Sequence, residues 1–374
     1  MFRLTPVSIF MAAVLFTGGA YADTEIRISS WVAPKHPVNY GGYEPFMEAV
    51  EQASGGDISF RLFMGGALLS AKATMPGIRD GIADTGVVAL TYHPAEFPHA
   101  QLIADLAMLS ANHVATAAAV TEFNMLHCQP CLDELIAQDL VYTGTYSTAP
   151  YVIIGSRKIE SVADLEGARI RTPGSVWDRW AASVGGVPVN LPSSDMYESL
   201  ERGITDVVLQ PIAALRSYSL WDVALHATLL DLGTYHSLSL LGYSGYTWRD
   251  LTTEQRKHLL ENAAMALVGV SVAYTELDKE VIRASEGGKT EIIEASEALL
   301  QDKARFIEAD LLRIAEIARE QHGIAEPEPI IATFKSLLKK WQAIMDPLDG
   351  DTDRMIAVLK TEVFDKIDPA TYGM

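Results

Sequence analysis

The chain has 374 residues, of which 49% are hydrophobic, and its 48 acidic and 29 basic residues give a formal net charge of −19. This length and hydrophobic content predict two or three globular domains and exclude a largely disordered chain. A protein this acidic repels phosphate backbones, so we expect no nucleic-acid partner.

The amino terminus has the layout of a secretory signal peptide. Arg3 precedes an apolar run over residues 7–16, and Ala20-Tyr21-Ala22 supplies the small-x-small cleavage pattern. The run is shorter than the ~20 residues that a membrane-spanning helix needs. We therefore expect cleavage after Ala22, which leaves an exported protein that does not insert into a membrane.

The only two cysteines of the sequence are Cys128 and Cys131, in the stretch HCQPC. In an exported chain this Cys-x-x-Cys pair is interpreted as a tight structural disulfide. A redox-active pair and two free thiols remain alternatives, whereas zinc would need two further ligands that do not occur at motif spacing.

Strand and helix patterns alternate along the first mature residues. Residues 26–30 alternate between apolar and polar, as a strand does, and two prolines then indicate a loop. Phe46, Met47 and Val50 have helical spacing, and the strand pattern DISFRLF follows. This order is typical of an α/β protein.

One supersecondary unit occurs twice in the sequence. The stretches TMPGIRDGIADTGVVAL and MYESLERGITDVVLQP both place Gly-Ile-x-Asp between a helical pattern and a valine-rich strand. The two copies of the motif span residues 81–84 and 203–206. Two units built alike predict two α/β lobes.

Two arginines stand at the end of a predicted strand, in GARIRTPGS. The strand period places Arg169 and Arg171 on one face, and Arg171 comes just before the Thr-Pro-Gly turn. Ligands collect outside the carboxyl ends of strands in open α/β sheets, and a guanidinium matches a carboxylate with two parallel hydrogen bonds. Arg171 is therefore a candidate anion ligand, and a surface or salt-bridge arginine is the alternative.

The carboxyl-terminal third is predicted to be helical. A long helix is expected to begin at Thr253, which is its predicted N-cap residue. Beyond it, apolar residues at alternating steps of four and three form one stripe: Leu300, Ala304, Ile307, Leu311, Ile314 and Ala318. The stripe covers less than three heptads, so we expect it to pack within the protein rather than in a coiled coil.

Motifs for catalysis or cofactor binding are absent from the sequence. There is no phosphate loop, dinucleotide fingerprint or His-Glu-x-x-His, and GYSGY lacks the spacing of a nucleophile elbow. DGDTD begins like a calcium loop, but Arg354 and Lys360 stand where glycine and glutamate are needed. We expect no enzyme activity, cofactor or metal; the alternative is a small-ester hydrolase in which His236 activates Ser147 or Ser244.

Three motifs occur in a fixed order between residues 160 and 211. They are a Leu-x-Gly-x-x-Ile-Arg-x-Pro strand, a Gly-x-x-Pro-Val segment and a Tyr-x-x-Leu-x-x-Gly-x-x-Asp unit. In this order they resemble the core of the substrate-binding proteins of tripartite ATP-independent periplasmic (TRAP) transporters. The likeness continues in the amino-terminal helix and strand and in the helix TWRDLTTEQRKHLLENA.

The resemblance implies a periplasmic α/β protein with two lobes, a mixed sheet in each lobe, a long lobe-spanning helix and a helical carboxyl terminus. We place lobe I at residues 23–145 and 237–290, and lobe II at residues 146–236 and 291–374. The implied function is the capture of a small organic anion, a carboxylate or sulfonate, and its delivery to integral membrane transporter subunits. A periplasmic sensor that presents the ligand to a membrane signalling protein is the alternative.

The resemblance makes Arg171 the carboxylate anchor. Gln210 stands where the family has an asparagine, and Tyr146 stands where many members have a second arginine. The loss of that cation predicts a monoanion, or a ligand whose far end is apolar or hydroxylated. The other predicted ligand contacts lie at the ends of predicted strands: Trp31, Thr91, Tyr92, Trp177, Tyr235 and His236.

Overall fold

The structure, a computed structural model, describes residues 24–109 and 112–374, so the predicted signal peptide lies outside the described residues. The strands in chain order are β1 (Thr24–Ser29), β2 (Ile58–Phe63), β3 (Thr85–Gly86), β4 (Val88–Ala89), β5 (Leu140–Val141), β6 (Val152–Gly155), β7 (Arg169–Thr172), β8 (Val187–Asn190), β9 (Val207–Gln210), β10 (His226–Leu229), β11 (Leu238–Ser239), β12 (Tyr243–Ser244) and β13 (Glu291–Glu294).

The α-helices in chain order are α1 (Glu44–Ala53), α2 (Thr74–Arg79), α3 (Pro98–Ala104), α4 (His113–Glu122), α5 (Gln129–Ala137), α6 (Ser175–Ser183), α7 (Met196–Glu201), α8 (Ala214–Ser217), α9 (Gly245–Asp250), α10 (Thr253–Ser285), α11 (Glu297–His322), α12 (Pro327–Met345) and α13 (Thr352–Glu362). Short 3-10 and π turns join several of them.

Two sheets form the centres of two lobes. The first has the order β2-β1-β3 and is parallel. The second has the order β13-β10-β6-β9-β7-β8 and is mixed, because β6 runs antiparallel to both of its neighbours, β9 and β10. Two short antiparallel ladders, β4 with β11 and β5 with β12, add to the first lobe. The predicted two-lobed α/β fold is confirmed, except that the sheet of the first lobe is parallel and not mixed as expected.

The repeated sequence unit forms the same structure in each lobe. In the first lobe β1-α1-β2-α2-β3 places β1 between β2 and β3, and in the second β7-α6-β8-α7-β9 places β7 between β8 and β9. Gly81 and Gly203 end α2 and α7 with φ of 76° and 60°, a conformation that favours glycine. The Gly-Ile-x-Asp motif is thus the turn from helix to strand in both units.

The lobes are joined by two extended segments and by α10. The segments pair side by side, because Thr148 N–H donates to the Tyr235 carbonyl at 2.9 Å and Tyr151 N–H donates to the Gly233 carbonyl at 2.8 Å. Helix α10 packs on α1 and α4, and Asp278 on it accepts from the Ala213 N–H beyond β9. It therefore contacts both lobes, as predicted for the lobe-spanning helix.

Helix α10 begins as predicted except that its N-cap is Thr252 and not Thr253. The Thr252 hydroxyl accepts from the Gln255 N–H at 3.2 Å, and the Gln255 side chain accepts from the Thr252 N–H at 2.9 Å. Sequence inspection missed this reciprocal capping box, in which Gln255 fixes the first threonine of the pair. None of the helices in residues 24–109 and 112–374 is both long and apolar enough to cross a membrane.

The predicted apolar stripe of α11 is buried only towards its carboxyl end. Ile314 and Ala318 are buried, whereas Leu300 and Ala304 are exposed and the neighbouring Leu299 is buried instead. At the amino-terminal end the buried position is thus Leu299 and not Leu300, one residue away from the predicted stripe, so this part of the prediction is wrong.

The carboxyl-terminal helices pack on the first lobe. Phe334 of α12 contacts Phe123 with ring centroids 5.9 Å apart, and Trp341 Nε1 donates to the carboxylate of Glu122 at the end of α4. The lobe boundaries in the sequence stay a prediction, but α12 lies on α4, which they place in the other lobe. Cys128 and Cys131 are joined in a disulfide at the start of α5.

Candidate functional site

A closed cavity lies between the lobes, next to the ends of β1, β7 and β9. Its free volume is about 20 Å³, far below the ~300–1,000 Å³ of small-molecule sites, so a ligand can enter only if the walls move apart. Eight of its lining residues carry aromatic rings: Trp31, His36, Tyr92, Tyr146, Tyr151, Tyr218, Tyr235 and Tyr274. The others are Val32, Ala89, Thr148, Ser193, Gln210 and Leu238.

Arg171 lies behind two of the lining side chains and is fully buried. Its Nε donates to the carbonyl of Leu191 at 2.8 Å, and its Nη1 donates to that of Leu209 at 3.2 Å. The longest contacts are those that face the cavity: Nη1 to Gln210 Oε1 and Nη2 to Tyr92 Oη, both at 3.4 Å. The guanidinium is thus held from behind by backbone and borders the cavity through Gln210 and Tyr92.

Arg171 forms no ion pair within residues 24–109 and 112–374, although burial raises the pKa of nearby Asp178 and the charge of Arg171 opposes that increase. By contrast Arg169, two residues earlier, pairs with Asp206 at 2.7 Å. Arg256 is a second buried arginine without an ion pair, but its guanidinium donates to carbonyl oxygens that include Pro369 and Leu251, and it does not line the cavity. Burying a charge without a partner is costly.

The polar groups beside Arg171 present hydrogen-bond donors. Tyr92 Oη accepts from the Ser193 N–H at 3.1 Å and from Arg171, so its own O–H is left to donate. The Gln210 amide oxygen accepts from Arg171, which leaves the Nε2 hydrogens as donors. Such a set of donors fits a carboxylate or sulfonate, whose oxygens only accept.

A second polar group of the cavity joins His36 and Tyr274. Glycines make this contact possible, because a Cβ on Gly269 of α10 would lie 2.2 Å from the Gly41 carbonyl oxygen. His36 Nε2 lies 2.8 Å from Tyr274 Oη, and the two rings pack edge to face with centroids 5.5 Å apart. Burial lowers the pKa of His36 to about 3, so the imidazole is neutral at physiological pH.

Burial keeps three tyrosines of the cavity protonated. Burial raises the pKa of Tyr146, Tyr151 and Tyr274 well above its usual value, since each phenolate would have to leave water. The charge of Arg171 opposes this increase in the pKa of Tyr151. The cavity therefore has one cation at its edge and neutral phenols around it.

The structure brings most of the predicted site residues together. Trp31, Tyr92, Tyr146, Tyr235 and Gln210 line the cavity. Arg171 touches two of them, as described above. The expected aromatic wall therefore exists and draws on both lobes.

Two predicted site residues lie behind this wall. The Thr91 hydroxyl is hydrogen-bonded to the Tyr235 hydroxyl and to the Pro173 carbonyl. Trp177 stacks on Tyr151 and donates its Nε1 hydrogen to the Leu232 carbonyl. Their loops do follow strand ends, but their side chains turn into the protein interior and support cavity residues.

His236 also points away from the cavity. Its Nδ1 and Nε2 lie 3.0 and 3.1 Å from the carbonyl oxygens of Thr234 and Ile103. Burial lowers its pKa to about 4, so the ring is neutral. Because both ring nitrogens face carbonyls, the imidazole has no nitrogen left to serve Ser147 or Ser244 as a base, which contradicts the hydrolase alternative.

Sequence reasoning missed several lining residues, chiefly His36, Tyr151, Ser193, Tyr218 and Tyr274. His36 and Tyr151 follow predicted strands or lie in the predicted crossover segment, so strand-end position could have identified them. Tyr274 lies within the long helix, where an aromatic residue is indistinguishable from a core position. Within residues 24–109 and 112–374 no group of three or more His, Cys, Asp or Glu side chains is placed to hold a metal ion.

Comparison with known proteins places this chain in a defined class, the solute-binding proteins. Residues 28–317 match the family model of bacterial extracellular solute-binding protein, family 7. The chain belongs to this family. The resemblance seen in the sequence is thereby confirmed.

Relatives share the fold at low sequence identity. An uncharacterized protein of Haemophilus influenzae is 22% identical over 78% of this chain and 90% of its own length. A TRAP periplasmic solute-binding protein of Bordetella bronchiseptica with bound (R)- and (S)-mandelate has a TM-score of 0.71 at 23% identity, over 84% of this chain and 99% of its own. A TRAP solute-binding protein of Rhodoferax ferrireducens in complex with benzoate has a TM-score of 0.76 at 20% identity, over 86% and 99%.

Proposed function

We propose that the mature protein is the periplasmic substrate-binding subunit of a TRAP transporter. It captures a small organic anion, a carboxylate or a sulfonate, in the closed cavity and delivers it to the integral membrane subunits. Arg171 binds the anionic group, with Gln210 and Tyr92 as further donors. No bond of the ligand is made or broken in this cycle.

The observation that carries this proposal is the buried, unpaired guanidinium of Arg171 at the edge of the cavity. Its two contacts of 3.4 Å, to Gln210 and Tyr92, are long enough to be exchanged for shorter bonds to a ligand. A bound carboxylate would supply the missing negative charge and could accept two parallel hydrogen bonds. Both organic acids named for the structural relatives above carry one carboxylate.

The charged groups at the cavity favour a ligand with a single negative charge. Arg171 is the one cation of the cavity among the described residues, because the remaining lining groups are neutral phenols, hydroxyls, an amide, a neutral imidazole and apolar side chains. Tyr146, where the family resemblance led us to expect an arginine, is one of the phenols. A second ionised group on the ligand would lose its hydration without gaining a countercharge.

Capture and release follow from a hinge between the lobes. The paired segments near Thr148 and Tyr235 and the helix α10 are the connections that can bend, and the lining residues come from both sides of them. A ligand that contacts both lobes stabilises the closed state in proportion to its differential affinity for that state.

The test is ligand binding by an Arg171→Ala variant of the protein that begins at Asp23. A thermal-shift screen against organic acids, sulfonates, sugar acids and amino acids identifies a ligand through its stabilisation of the folded form. Calorimetry then measures the affinity, and we expect Arg171→Ala to weaken it by at least about 100-fold (~2.7 kcal/mol).

Arg169→Ala is the matched control, since Arg169 lies on the same strand face but is exposed and paired with Asp206. We expect it to bind the ligand as the unaltered protein does. Undiminished binding by Arg171→Ala, or a ligand set made up of neutral compounds alone, would contradict the proposal.

A further inference from the structure

A backbone N–H determines which group donates in the hydrogen bond between His36 and Tyr274. The Val38 N–H donates to His36 Nδ1 at 3.2 Å, so Nδ1 carries no hydrogen and the neutral ring carries its hydrogen on Nε2. That hydrogen is donated to Tyr274 Oη at 2.8 Å. The Tyr274 hydroxyl is therefore the acceptor in this contact, and its own hydrogen is free to be donated into the cavity.

A neighbouring phenol is also a free donor. Tyr146 stacks on Tyr274 with ring centroids 6.2 Å apart and an interplanar angle of 26°. Tyr146 is 96% buried, with 4% of its surface exposed, and its hydroxyl has no hydrogen-bond partner among residues 24–109 and 112–374. A buried hydroxyl that lines a cavity and lacks a partner marks a position where a ligand atom belongs.

These two hydroxyls and Arg171 occupy different parts of the cavity. Arg171 donates to Gln210 and Tyr92, whereas Tyr274 bonds to His36 and stacks on Tyr146, and the two sets of contacts share no residue. Asp278 lies one turn along α10 from Tyr274, and its carboxyl group, which accepts from the Ala213 N–H, would when ionised repel a second anionic group. One end of the cavity thus favours an anion, and the other favours a neutral acceptor.

We propose that the ligand is a planar aromatic monocarboxylate with a neutral oxygen substituent, a hydroxyl or a carbonyl, remote from the carboxylate. The hydroxyls of Tyr146 and Tyr274 donate to that oxygen, and the aromatic walls hold the ring. These two tyrosines determine specificity, while Arg171 supplies most of the affinity. This inference rests on the proposed function, because it assumes that Arg171 binds the carboxylate.

The test compares benzoate with 3-hydroxybenzoate and 4-hydroxybenzoate by calorimetry. We expect at least one hydroxylated acid to bind about 10-fold more tightly than benzoate, and isophthalate, a dianion, to bind more weakly than benzoate. Tyr146→Phe removes only the hydroxyl and keeps the ring, so it should reduce the preference for the hydroxylated acid over benzoate to about 3-fold or less. Tyr274→Phe should act in the same direction.

Tyr243→Phe is the matched control. Tyr243 is also fully buried, and its hydroxyl has no partner in the part of the chain that the structure describes, but it lies in β12 and does not line the cavity. It should leave the affinities for all three acids unchanged. The inference is overturned if neither hydroxylated acid binds more tightly than benzoate, or if Tyr146→Phe weakens benzoate and the hydroxylated acid equally.

The Arg171→Ala variant tests the proposed function separately from the specificity inference. If that variant loses benzoate and the hydroxyl group adds no affinity, the anion-binding function stands and only the specificity inference fails. If aromatic acids do not bind but an aliphatic acid binds through Arg171, the specificity inference fails in the same way. If Arg171→Ala still binds, the proposed function fails.

Discussion

Arg27 and Arg169 occupy the same place in the two lobes. Arg27 on β1 directs its backbone N–H, Nε and Nη2 to the carboxylate of Asp84, and Arg169 on β7 directs the same three groups to Asp206. Both aspartates end the Gly-Ile-x-Asp turn, and each returns its own N–H to the carbonyl of its arginine. The two units therefore share one clamp between the first and third strands.

The units differ two residues further along the strand, where the chain reaches the cavity. The first unit continues Arg-Ile-Ser and places Ser29 there, and the second continues Arg-Ile-Arg and places Arg171 there. Ser29 pairs with Gly86 on β3, and Arg171 pairs with Val208 on β9, so the two positions are equivalent in register. The arginine–aspartate clamp is therefore structural in both lobes. At the position two residues later, only the second lobe supplies a residue, Arg171, that borders the cavity.

The largest stability effect should come from breaking the clamp of the first lobe. Asp84 also accepts from the Thr247 hydroxyl at 3.0 Å, and its side chain is 13% exposed compared with 27% for Asp206. We expect Asp84→Ala to lower the free energy of unfolding by about 3 kcal/mol and Asp206→Ala by about 1 kcal/mol, measured by urea denaturation at pH 7.

The pH dependence gives this prediction its control. Burial raises the pKa of Asp84, but its hydrogen bonds with Arg27 outweigh burial and lower it overall; hydrogen bonding to Arg169 lowers the pKa of Asp206. A lowered pKa contributes stability above the unfolded-state value of about 4, and this stability is lost as the pH falls. Equal losses in the two variants at pH 7, or a loss in Asp84→Ala that persists in full at pH 2, would break the comparison.

Helix α10, which joins the two lobes, carries an aspartate with the opposite behaviour. Asp278 accepts one hydrogen bond, from the Ala213 N–H at 2.8 Å, and burial raises its pKa to about 7. Its stabilising contribution is therefore complete below the unfolded-state pKa of about 4 and is lost as the pH rises through 7. Asp278→Asn keeps the acceptor and removes the charge.

We expect Asp278→Asn to raise the free energy of unfolding by about 2 kcal/mol at pH 8 and to leave it nearly unchanged at pH 4. Thermal unfolding of both proteins across that pH range measures the difference. A destabilised variant at pH 8 would mean that the ionised carboxylate has a partner that outweighs its burial.

Local patterns in the sequence were enough for the parts of the fold that repeat. The Gly-Ile-x-Asp turns, the strand of Arg171 and the long helix from Thr252 depend on short-range spacing and capping, so the sequence predicts them to within a residue or so. The loss at Leu300 has a different cause. An apolar stripe indicates which helix face is apolar, but where Leu299 and Leu300 are adjacent it does not decide which of the two faces the neighbouring elements.

The cavity shows the same limit. Arg171, Tyr92 and Gln210 follow or end strands, so their place along the chain predicts their place in the site. His36 and Tyr274 are 238 residues apart in sequence, and their contact depends on how closely α10 approaches Gly41. A single sequence contains no signal for that approach, nor for the side chain of Trp177 turning behind Tyr151.

The smallest effect should come from Ser29, the counterpart of Arg171. Its hydroxyl is fully buried and has no hydrogen-bond partner among the described residues. Ser29→Ala removes an unsatisfied polar atom and leaves the clamp intact, so we expect the free energy of unfolding to stay the same or rise by up to ~1 kcal/mol. Ligand affinity measured by calorimetry should change less than 2-fold, because Ser29 does not line the cavity. A loss of affinity would mean that Ser29 of the first lobe, like Arg171 of the second, contributes to ligand binding. The two units would then be alike in function as well as in structure.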